Sequence, residues 1–261
     1  MKEATGRQES EMRALITGAS SGIGRDMALY LSKLGWKLII TGRNEASLRN
    51  LRQRLGSSCE YIVLDLTESG APQLLYDKCK GRRIDMLVNN AGFGLFGKFT
   101  ETSLEAEHDM IALNIVAVHD LTKLFLRDFV RRDSGLILNV ASSAGFLPGP
   151  LMSTYYSSKA YVLRLSEAVY AELKDMGSRV KISVLCPGPV STEFNKRAGV
   201  MFSAKPLTSS YVAKYAIDNA FRGRLHIIPS FKMKLALSLA KVAPLSAIIP
   251  VVFALQKRKL N

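Results

Sequence analysis

The chain has 261 residues, with 36 Lys and Arg, 22 Asp and Glu, and a formal net charge of +14. With 48% hydrophobic and 22% charged residues, the composition excludes wholesale disorder, and the length suits a single α/β domain. The three cysteines have no Cys-x-x-Cys spacing, which excludes a disulfide scaffold, offers no zinc ligand set and fits reduced thiols in the cytoplasm.

The positive charge is concentrated at the C-terminal end. Residues 194–261 carry 12 of the 36 basic side chains but only one acid, Asp218. Such a segment is either a solvated face or a contact for an anionic partner, nucleic acid or membrane. The first eleven residues have no apolar stretch, so we predict a flexible segment over 1–11 rather than a cleaved signal.

Short apolar runs alternate with longer segments of helical period from Arg13 onward, which indicates a parallel sheet. The predicted strands, apolar at nearly every position, are Ala14–Thr17, Lys37–Thr41, Glu60–Leu64, Met86–Val88, Leu136–Val140, Lys181–Leu185 and Leu225–Ile228. The predicted helices are Gly24–Leu34, Glu45–Leu55, Ala71–Lys80, Leu104–Arg132, Tyr156–Met176 and Ser209–Arg222. We therefore predict one doubly wound sheet of about seven strands over residues 12–230, followed by a C-terminal extension, residues 231–261.

A glycine-rich turn joins the first predicted strand to the first helix. It reads Thr17-Gly18-Ala19-Ser20-Ser21-Gly22-Ile23-Gly24. Glycines at such a turn let the backbone approach a pyrophosphate, which the helix N-terminus also attracts. Glycines also form ordinary tight turns, so this turn alone is a weak indication of a dinucleotide site.

The residues after the second strand bear on cofactor choice. Gly42 stands where an NAD site normally has an acid for the ribose 2′-hydroxyl, and Arg43 offers a planar cation for a 2′-phosphate. Arg25 is a candidate second cation. We predict a preference for NADP(H), with NAD(H) as the alternative cofactor; the other interpretation is that Arg43 begins a solvated loop.

Polar residues also follow the third and fourth strands. Asp65 either accepts a hydrogen bond from an adenine amino group or caps the next turn. Asn89-Asn90-Ala91-Gly92 combines amides with small residues, which suits close packing beneath a nucleotide. In open α/β sheets, ligands bind at this carboxyl edge, so these residues are candidates for cofactor contacts.

Tyr155 and Lys159 are four apart on a predicted helix and therefore share one face. A nearby ammonium stabilises a phenolate and lowers the pKa of a tyrosine from its usual value near about 10. Ser142, after the fifth strand, can donate to a carbonyl oxygen as charge develops. Asn114 lies inside a predicted helix, where its low helix propensity needs a reason.

These motifs together resemble the short-chain dehydrogenase/reductase family in order and spacing over residues 12–192: the glycine turn, Asn89-Asn90-Ala91-Gly92, Asn114, Ser142, Tyr155-x-x-x-Lys159 and Pro187-Gly188. The resemblance implies a Rossmann-type fold and NADP(H)- or NAD(H)-dependent carbonyl reduction or alcohol oxidation. It implies that Tyr155 is the general acid/base and also contacts the cofactor, and that Ser142 polarises the carbonyl. It further implies that Lys159 holds the nicotinamide ribose and tunes Tyr155, and that Asn114 anchors a relay water.

The resemblance also implies that Pro187-Gly188 forms the turn beside the nicotinamide and that Thr192 contacts the carboxamide or phosphates. The family spacing selects Tyr155 over Tyr156, because Tyr156 would need a lysine where Ala160 stands.

Family members often form homodimers or homotetramers, which implies contact through the two long predicted helices. The competing function is a non-catalytic dinucleotide-binding or nucleic-acid-binding protein on the same fold, which the complete catalytic set disfavours; we expect no nucleic acid partner.

The residues expected to face the substrate are mainly apolar, which favours a small hydrophobic ketone, aldehyde or alcohol. They are Phe93, Phe96, Gly145, Phe146, Leu147, Pro148, Leu151, Met152 and the segment from Phe194 to Pro206 with Val200, Met201 and Phe202. Several of them are equally well explained as ordinary core.

The C-terminal extension carries six cations and no acid, and Pro244 and Pro250 break its uncharged stretch. It either covers the substrate cleft or lies on an anionic membrane surface.

Overall fold

Seven parallel strands form the central sheet, as the sequence predicts. This computed structural model describes residues 12–192, 206–240 and 242–257, so the predicted flexible segment 1–11 lies outside the described residues. The strands are β1 (Arg13–Thr17), β2 (Lys37–Gly42), β3 (Cys59–Val63), β4 (Met86–Asn89), β5 (Leu136–Val140), β6 (Lys181–Leu185) and β9 (His226–Ile227). They lie in the sheet in the order β3-β2-β1-β4-β5-β6-β9. A separate pair, β7 (Val190–Ser191) and β8 (Leu207–Thr208), forms a small parallel ladder.

Helices pack on both faces of the sheet. They are α1 (Gly22–Lys33), α2 (Glu45–Leu55), α3 (Ala71–Cys79), α4 (Leu104–Ile111), α5 (Ala117–Arg131), α6 (Ser153–Asp175), α7 (Ser209–Phe221), α8 (Phe231–Ala240) and α9 (Leu245–Lys257). A π-turn, Ala112–Val116, joins α4 to α5. The single helix predicted over Leu104–Arg132 is thus continuous but contains one widened turn.

Alternating strand residues divide the core into two layers. Ile16 of β1 belongs to the layer that includes Leu31 of α1, whereas its neighbour Leu15 belongs to the layer that includes Phe125 of α5. All these side chains are buried, because a parallel sheet covered by helices has no solvent-facing side. This two-sided burial explains why the strands are apolar at successive positions.

The C-terminal extension is helical, which the sequence analysis did not predict. Its uncharged stretch was expected to break at Pro250, yet α9 continues through this residue. A proline inside a helix removes one backbone hydrogen bond. Buried Val252 and Gln256, one turn apart on α9, provide the tertiary packing that offsets this loss.

The strand order places the loop after β1 beside the loop after β4. From β1 the chain proceeds outward to β2 and β3, and it then returns to add β4 on the other side of β1. The connections therefore diverge at this point and leave a crevice at the carboxyl ends of the two strands. The glycine turn and Asn90-Ala91-Gly92 border this crevice.

Candidate active site

One cavity of about 980 Å³ extends from the glycine turn to the C-terminal extension. Most of the predicted site residues line it: Gly18, Ser20, Ser21, Gly22, Ile23, Arg43, Asp65, Asn90, Ala91, Gly92, Ser142, Tyr155, Lys159, Pro187, Gly188 and Thr192. Gly24 and Asn114 are not part of the cavity wall and contact it from behind. The fold thus brings residues from separate loops to one continuous space.

The glycine turn is packed too closely to accept side chains. Gly18 has a φ of +64°, and a Cβ there would lie 2.7 Å from the Cα of Ala91. A Cβ on Gly24 would lie 2.5 Å from the Gly18 carbonyl oxygen, which explains why Gly24 supports the turn without reaching the cavity. The backbone of Gly18 and Gly22 therefore forms part of the cavity surface, where a pyrophosphate can approach main-chain amides.

Side chains from the two neighbouring loops fix this turn. The Asn90 side-chain amide donates to the carbonyl oxygens of Thr17 and Gly18, each at 3.0 Å. The Thr17 hydroxyl accepts from the backbone N–H groups of Asn90 and Ala91, also at 3.0 Å. The loops after β1 and β4 thus hold each other through side-chain contacts to the backbone.

Arg43 and Asp65 meet at one end of the cavity. The guanidinium Nη1 of Arg43 lies 3.4 Å from a carboxylate oxygen of Asp65, and the Arg43 side chain is 54% exposed. The other oxygen of Asp65 accepts from the backbone and hydroxyl of Thr67 at 3.0 and 2.9 Å. Asp65 therefore caps the following turn, while its second oxygen contacts Arg43. Arg25, the other candidate cation, pairs with Asp26 at 2.8 Å.

Ser142 and Tyr155 are hydrogen-bonded to each other inside the cavity. Ser142 follows β5, and its hydroxyl also accepts from the backbone N–H of Ala144 at 3.1 Å. Tyr155 lies in the first turn of α6 and is 9% exposed. Burial raises the pKa of Tyr155 to about 12, and the hydrogen bond from Ser142 opposes that shift. The lowered pKa that the spacing of Tyr155 and Lys159 predicts is therefore wrong for this state of the protein, because burial outweighs any effect of the ammonium. The phenol is protonated at neutral pH.

Lys159 lies one turn after Tyr155 and extends beneath the loop after β4. Its Nζ is 5.9 Å from the centre of the Tyr155 ring and donates to the Val140 carbonyl oxygen at 3.0 Å. Burial lowers the pKa of Lys159 to about 8, so this ammonium loses its proton far more readily than an exposed lysine. A Cβ on Gly92 would lie 3.2 Å from this Nζ, so the small residue leaves room for the ammonium.

Asn114 occupies the π-turn and is fully buried. Its Nδ2 donates to the Phe93 carbonyl oxygen at 2.9 Å and contacts the Ser158 hydroxyl at 3.0 Å, while its Oδ1 accepts from the Phe93 N–H at 3.1 Å. The side chain thus joins the π-turn, the loop after β4 and α6. Asparagine has a low helix propensity, and this hydrogen-bond network explains why one is nevertheless found inside the helix.

The remaining candidates fall into three groups. Phe93, Leu147 and Met152 line the cavity, whereas Phe96, Gly145, Phe146, Pro148 and Leu151 do not. Phe96 packs with Phe93 and Met110 in a small apolar cluster, as the core interpretation predicts. Residues 194–205, including Val200, Met201 and Phe202, lie outside the described residues.

The cavity wall also includes Tyr156 and residues of the C-terminal extension, none of which the sequence identifies individually as a wall residue. Met233, Ala236, Leu237, Val252, Leu255 and Gln256 line the cavity. The Gln256 side-chain amide donates to the Tyr156 hydroxyl, which links α9 to α6. The spacing of four between buried Val252 and Gln256 indicates an inward helix face, but the prolines concealed this pattern. None of the described helices combines the length and apolar character needed to cross a bilayer.

Comparison with known proteins identifies relatives of this arrangement. The family model for short chain dehydrogenase matches residues 12–201. The 17-beta-hydroxysteroid dehydrogenase type 3 of Rattus norvegicus is 35% identical over 190 residues, 70% of this chain, although the chain spans only 61% of that protein. A short-chain dehydrogenase from Sphingobium yanoikuyae, solved in complex with NADPH, is 30% identical with a TM-score of 0.80, covering 88% of this chain and 93% of that one. A Burkholderia phymatum short chain dehydrogenase/reductase in complex with NAD is 26% identical with a TM-score of 0.80, covering 90% and 94%.

Proposed function

Because the chain belongs to the short-chain dehydrogenase/reductase family of oxidoreductases, we propose that it transfers hydride between a nicotinamide cofactor and the carbonyl or alcohol carbon of a hydrophobic substrate. The observation that carries this proposal is one cavity with the glycine turn at one end and the Tyr155–Ser142 pair at the other. Lys159 lies beside that pair. The cavity thus has room for a dinucleotide and a substrate in line.

The glycine turn fits a dinucleotide because Gly18 and Gly22 leave backbone at the cavity surface, and the close packing of Gly18 and Gly24 holds that backbone in place. When bound, NADPH supplies the hydride. We assign Gly18, Ser20, Ser21, Gly22 and Ile23 to the pyrophosphate side, supported by Gly24 from behind. We assign Asp65 and the Asn90-Ala91-Gly92 loop to the adenosine side and the middle of the cofactor, and Pro187, Gly188 and Thr192 to the nicotinamide side.

The chain's own groups manage the proton and the carbonyl oxygen. In the proposed reduction, Ser142 donates to this oxygen and Tyr155 transfers the phenolic proton to it. The charged Lys159 stabilises the phenolate that Tyr155 becomes. Both polar atoms of the Asn114 side-chain amide have protein partners, so we propose that this side chain positions the backbone of Phe93. The relay water then binds the backbone of Asn114 rather than its side chain.

A hydrophobic substrate is supported by the apolar wall next to Tyr155. Phe93, Leu147 and Met152 meet Leu237 and Val252 of the C-terminal extension around this space. Such a wall suits a steroid-like, aromatic or long-chain carbonyl better than a free sugar. The name of the rat relative, a hydroxysteroid dehydrogenase, points in the same direction.

A preference for NADP(H) rests on Arg43. Its long, exposed contact with Asp65 is worth little, so Arg43 can turn to a 2′-phosphate at small cost. We expect Arg43→Ala to weaken NADPH binding about 10- to 100-fold, because a charge-assisted contact is lost, while NADH binding is nearly unchanged. Fluorescence titration measures both Kd values. Arg49→Ala, which removes another exposed arginine of the region, is the control and should alter neither; equal weakening of NADH and NADPH would contradict the assignment.

The buried ammonium predicts a pH dependence. Lys159 is charged below its pKa of about 8 and neutral above it, whereas Tyr155, with a pKa of about 12, stays protonated throughout this range. We expect kcat/KM for reduction to be level on the acid side and to fall as pH rises through about 8, because the phenolate then loses its stabilising charge. A pH–rate profile with NADPH tests this. Lys159→Met should lack this inflection, and a wild-type profile that stays level to the pKa of an ordinary lysine would refute the prediction.

We also propose a homodimer or homotetramer formed through the long helices. Leu104, Val116 and Tyr161 are exposed on α4, the π-turn and α6, which gives these helices apolar surface for a second copy. A cytoplasmic location is supported by Cys59, Cys79 and Cys186, which are buried free thiols.

The proposed function is tested by following NADPH and NADH oxidation over a panel of apolar ketones and aldehydes. Turnover with NADPH is expected for at least one class of bulky ketone. Tight NADPH binding with no turnover on any member would reject the proposed substrate class, and failure to bind either nucleotide would reject the assignment of the glycine turn.

A further inference from the structure

The C-terminal extension exposes an unusual amount of apolar surface. Of the 19 large hydrophobic residues exposed in the described chain, nine belong to its described part, 231–240 and 242–257. They are Phe231, Leu235, Leu239, Val242, Leu245, Ile249, Val251, Phe253 and Leu255. Phe231 is 80% exposed and Val242 is 85% exposed. Such concentration in one segment marks an interaction surface, because scattered exposed residues would be spread over the whole protein.

Apart from Leu255, which is exposed and also lines the cavity, these exposed residues lie outside the cavity wall, on what we call the outer side of the extension. Leu237 of α8 and Val252 and Gln256 of α9 are buried against the cavity. The hydrogen bond from Gln256 to Tyr156 fixes which side of α9 faces inward. The outer side therefore remains available to a partner while the inner side lines the cleft.

The charges of the extension select the partner. Its sequence has six cations, Lys232, Lys234, Lys241, Lys257, Arg258 and Lys259, and no acid. Among the described ones, Lys232, Lys234 and Lys257 are exposed, and the Lys257 Nζ lies 4.6 Å above the ring of Phe253. Lysines beside exposed aromatic and aliphatic groups suit an anionic lipid surface, with the cations at the headgroups. A second copy of this face would bring like charges together, which disfavours self-association here.

We propose that the outer side of the C-terminal extension binds the surface of an anionic membrane and holds the cleft against the lipid. The substrate is then taken from the bilayer, a step that rests on the proposed function of the cleft; the membrane contact itself does not. The helices lie in the interface, with the apolar groups among the acyl chains and the lysines among the headgroups.

Co-sedimentation of the full chain with vesicles tests the membrane contact without cofactor or substrate. We expect binding to phosphatidylglycerol-containing vesicles and little binding to pure phosphatidylcholine. The triple variant Lys232→Gln, Lys234→Gln, Lys257→Gln should bind about a hundredfold more weakly, since each lysine near the surface contributes about fivefold. Removing three other exposed lysines with Lys33→Gln, Lys78→Gln and Lys174→Gln gives the matched control, which should bind nearly as well as wild type.

The apolar contribution is tested at constant charge. Leu239→Gln with Val251→Gln should reduce vesicle binding strongly, whereas Leu74→Gln with Met176→Gln, at exposed apolar sites elsewhere, should not. Equal binding of both pairs would overturn the proposal. The proposal would also be overturned if wild type formed an oligomer through the C-terminal extension and did not bind vesicles. That result would assign this face to a second copy. Tyr155→Phe should bind vesicles like wild type, so loss of turnover and loss of membrane binding are distinguishable.

Discussion

Tyr155→Phe is expected to lower kcat by about a thousandfold, within the range measured for removal of a general acid. The variant loses the hydroxyl that is proposed to donate the proton but keeps the ring. Tyr155 is buried beside Met110, Ala144 and Met152, and the phenyl ring of the variant preserves that packing. The Kd for NADPH should be nearly unchanged, because the glycine turn and Arg43 lie at the other end of the cavity.

Tyr161→Phe is the matched control for this variant. Tyr161 lies on the same helix, but it is 38% exposed and its hydroxyl contacts His119 at 2.7 Å, outside the cavity. Steady-state kinetics with the best ketone of the panel and NADPH fluorescence titration measure kcat and Kd. If Tyr155→Phe kept kcat within about tenfold of wild type, the proton would come from another group and our assignment would be wrong.

Gly18→Ala is expected to abolish measurable NADPH binding and to lower the free energy of unfolding by roughly 2–5 kcal/mol. The new Cβ would occupy a left-handed backbone conformation at φ +64° and would lie 2.7 Å from the Ala91 Cα. Relief of this contact must move the loop after β1 or the loop after β4. Either movement changes the backbone surface on which the pyrophosphate is proposed to lie.

Gly35→Ala separates the cost of the backbone conformation from the cost of the contact. Gly35 has a φ of +81°, but a Cβ there would meet nothing within 4 Å. This variant should lose about 1–2 kcal/mol from strain alone and keep its NADPH affinity. Urea unfolding and fluorescence titration of both variants provide the comparison. Equal stability losses with intact NADPH binding in both would show that the close approach of Gly18 to Ala91 has no role.

The sheet was predictable because burial on both faces imposes apolar residues on every strand. The predicted ends of the strands differ from the observed ones by at most one residue, as at β3, which is Cys59–Val63 rather than Glu60–Leu64. The π-turn was not predictable, since no glycine or proline marks it and tertiary hydrogen bonds to Asn114 hold it open. Helix α9 was missed because Pro250 argues against a helix, and its packing on the cavity is a tertiary effect.

The candidate site was largely predictable as a set but not in its detailed contacts. The order and spacing of the motifs identified residues that the fold brings to one cavity. That Gly24 and Asn114 contact the wall from behind follows only from three-dimensional packing. The same holds for the Arg43–Asp65 contact and for Gln256, which is 100 residues from Tyr156 in the chain. Long-range pairs of this kind leave no local pattern in a single sequence.

The π-turn changes the direction in which the side chains of the long helix point before and after it. One extra residue in a turn rotates all later side chains by about 100° relative to a regular helix. Before the turn, Met110 faces the apolar cluster around Phe93 and Tyr155; after it, Phe125 faces the core beneath the sheet. The two clusters are therefore served by different parts of one helix, and Leu113 in the π-turn contacts both of them. A substitution at Met110 thus changes the packing beside Tyr155 directly, whereas it reaches the cluster of Phe125 only through Leu113.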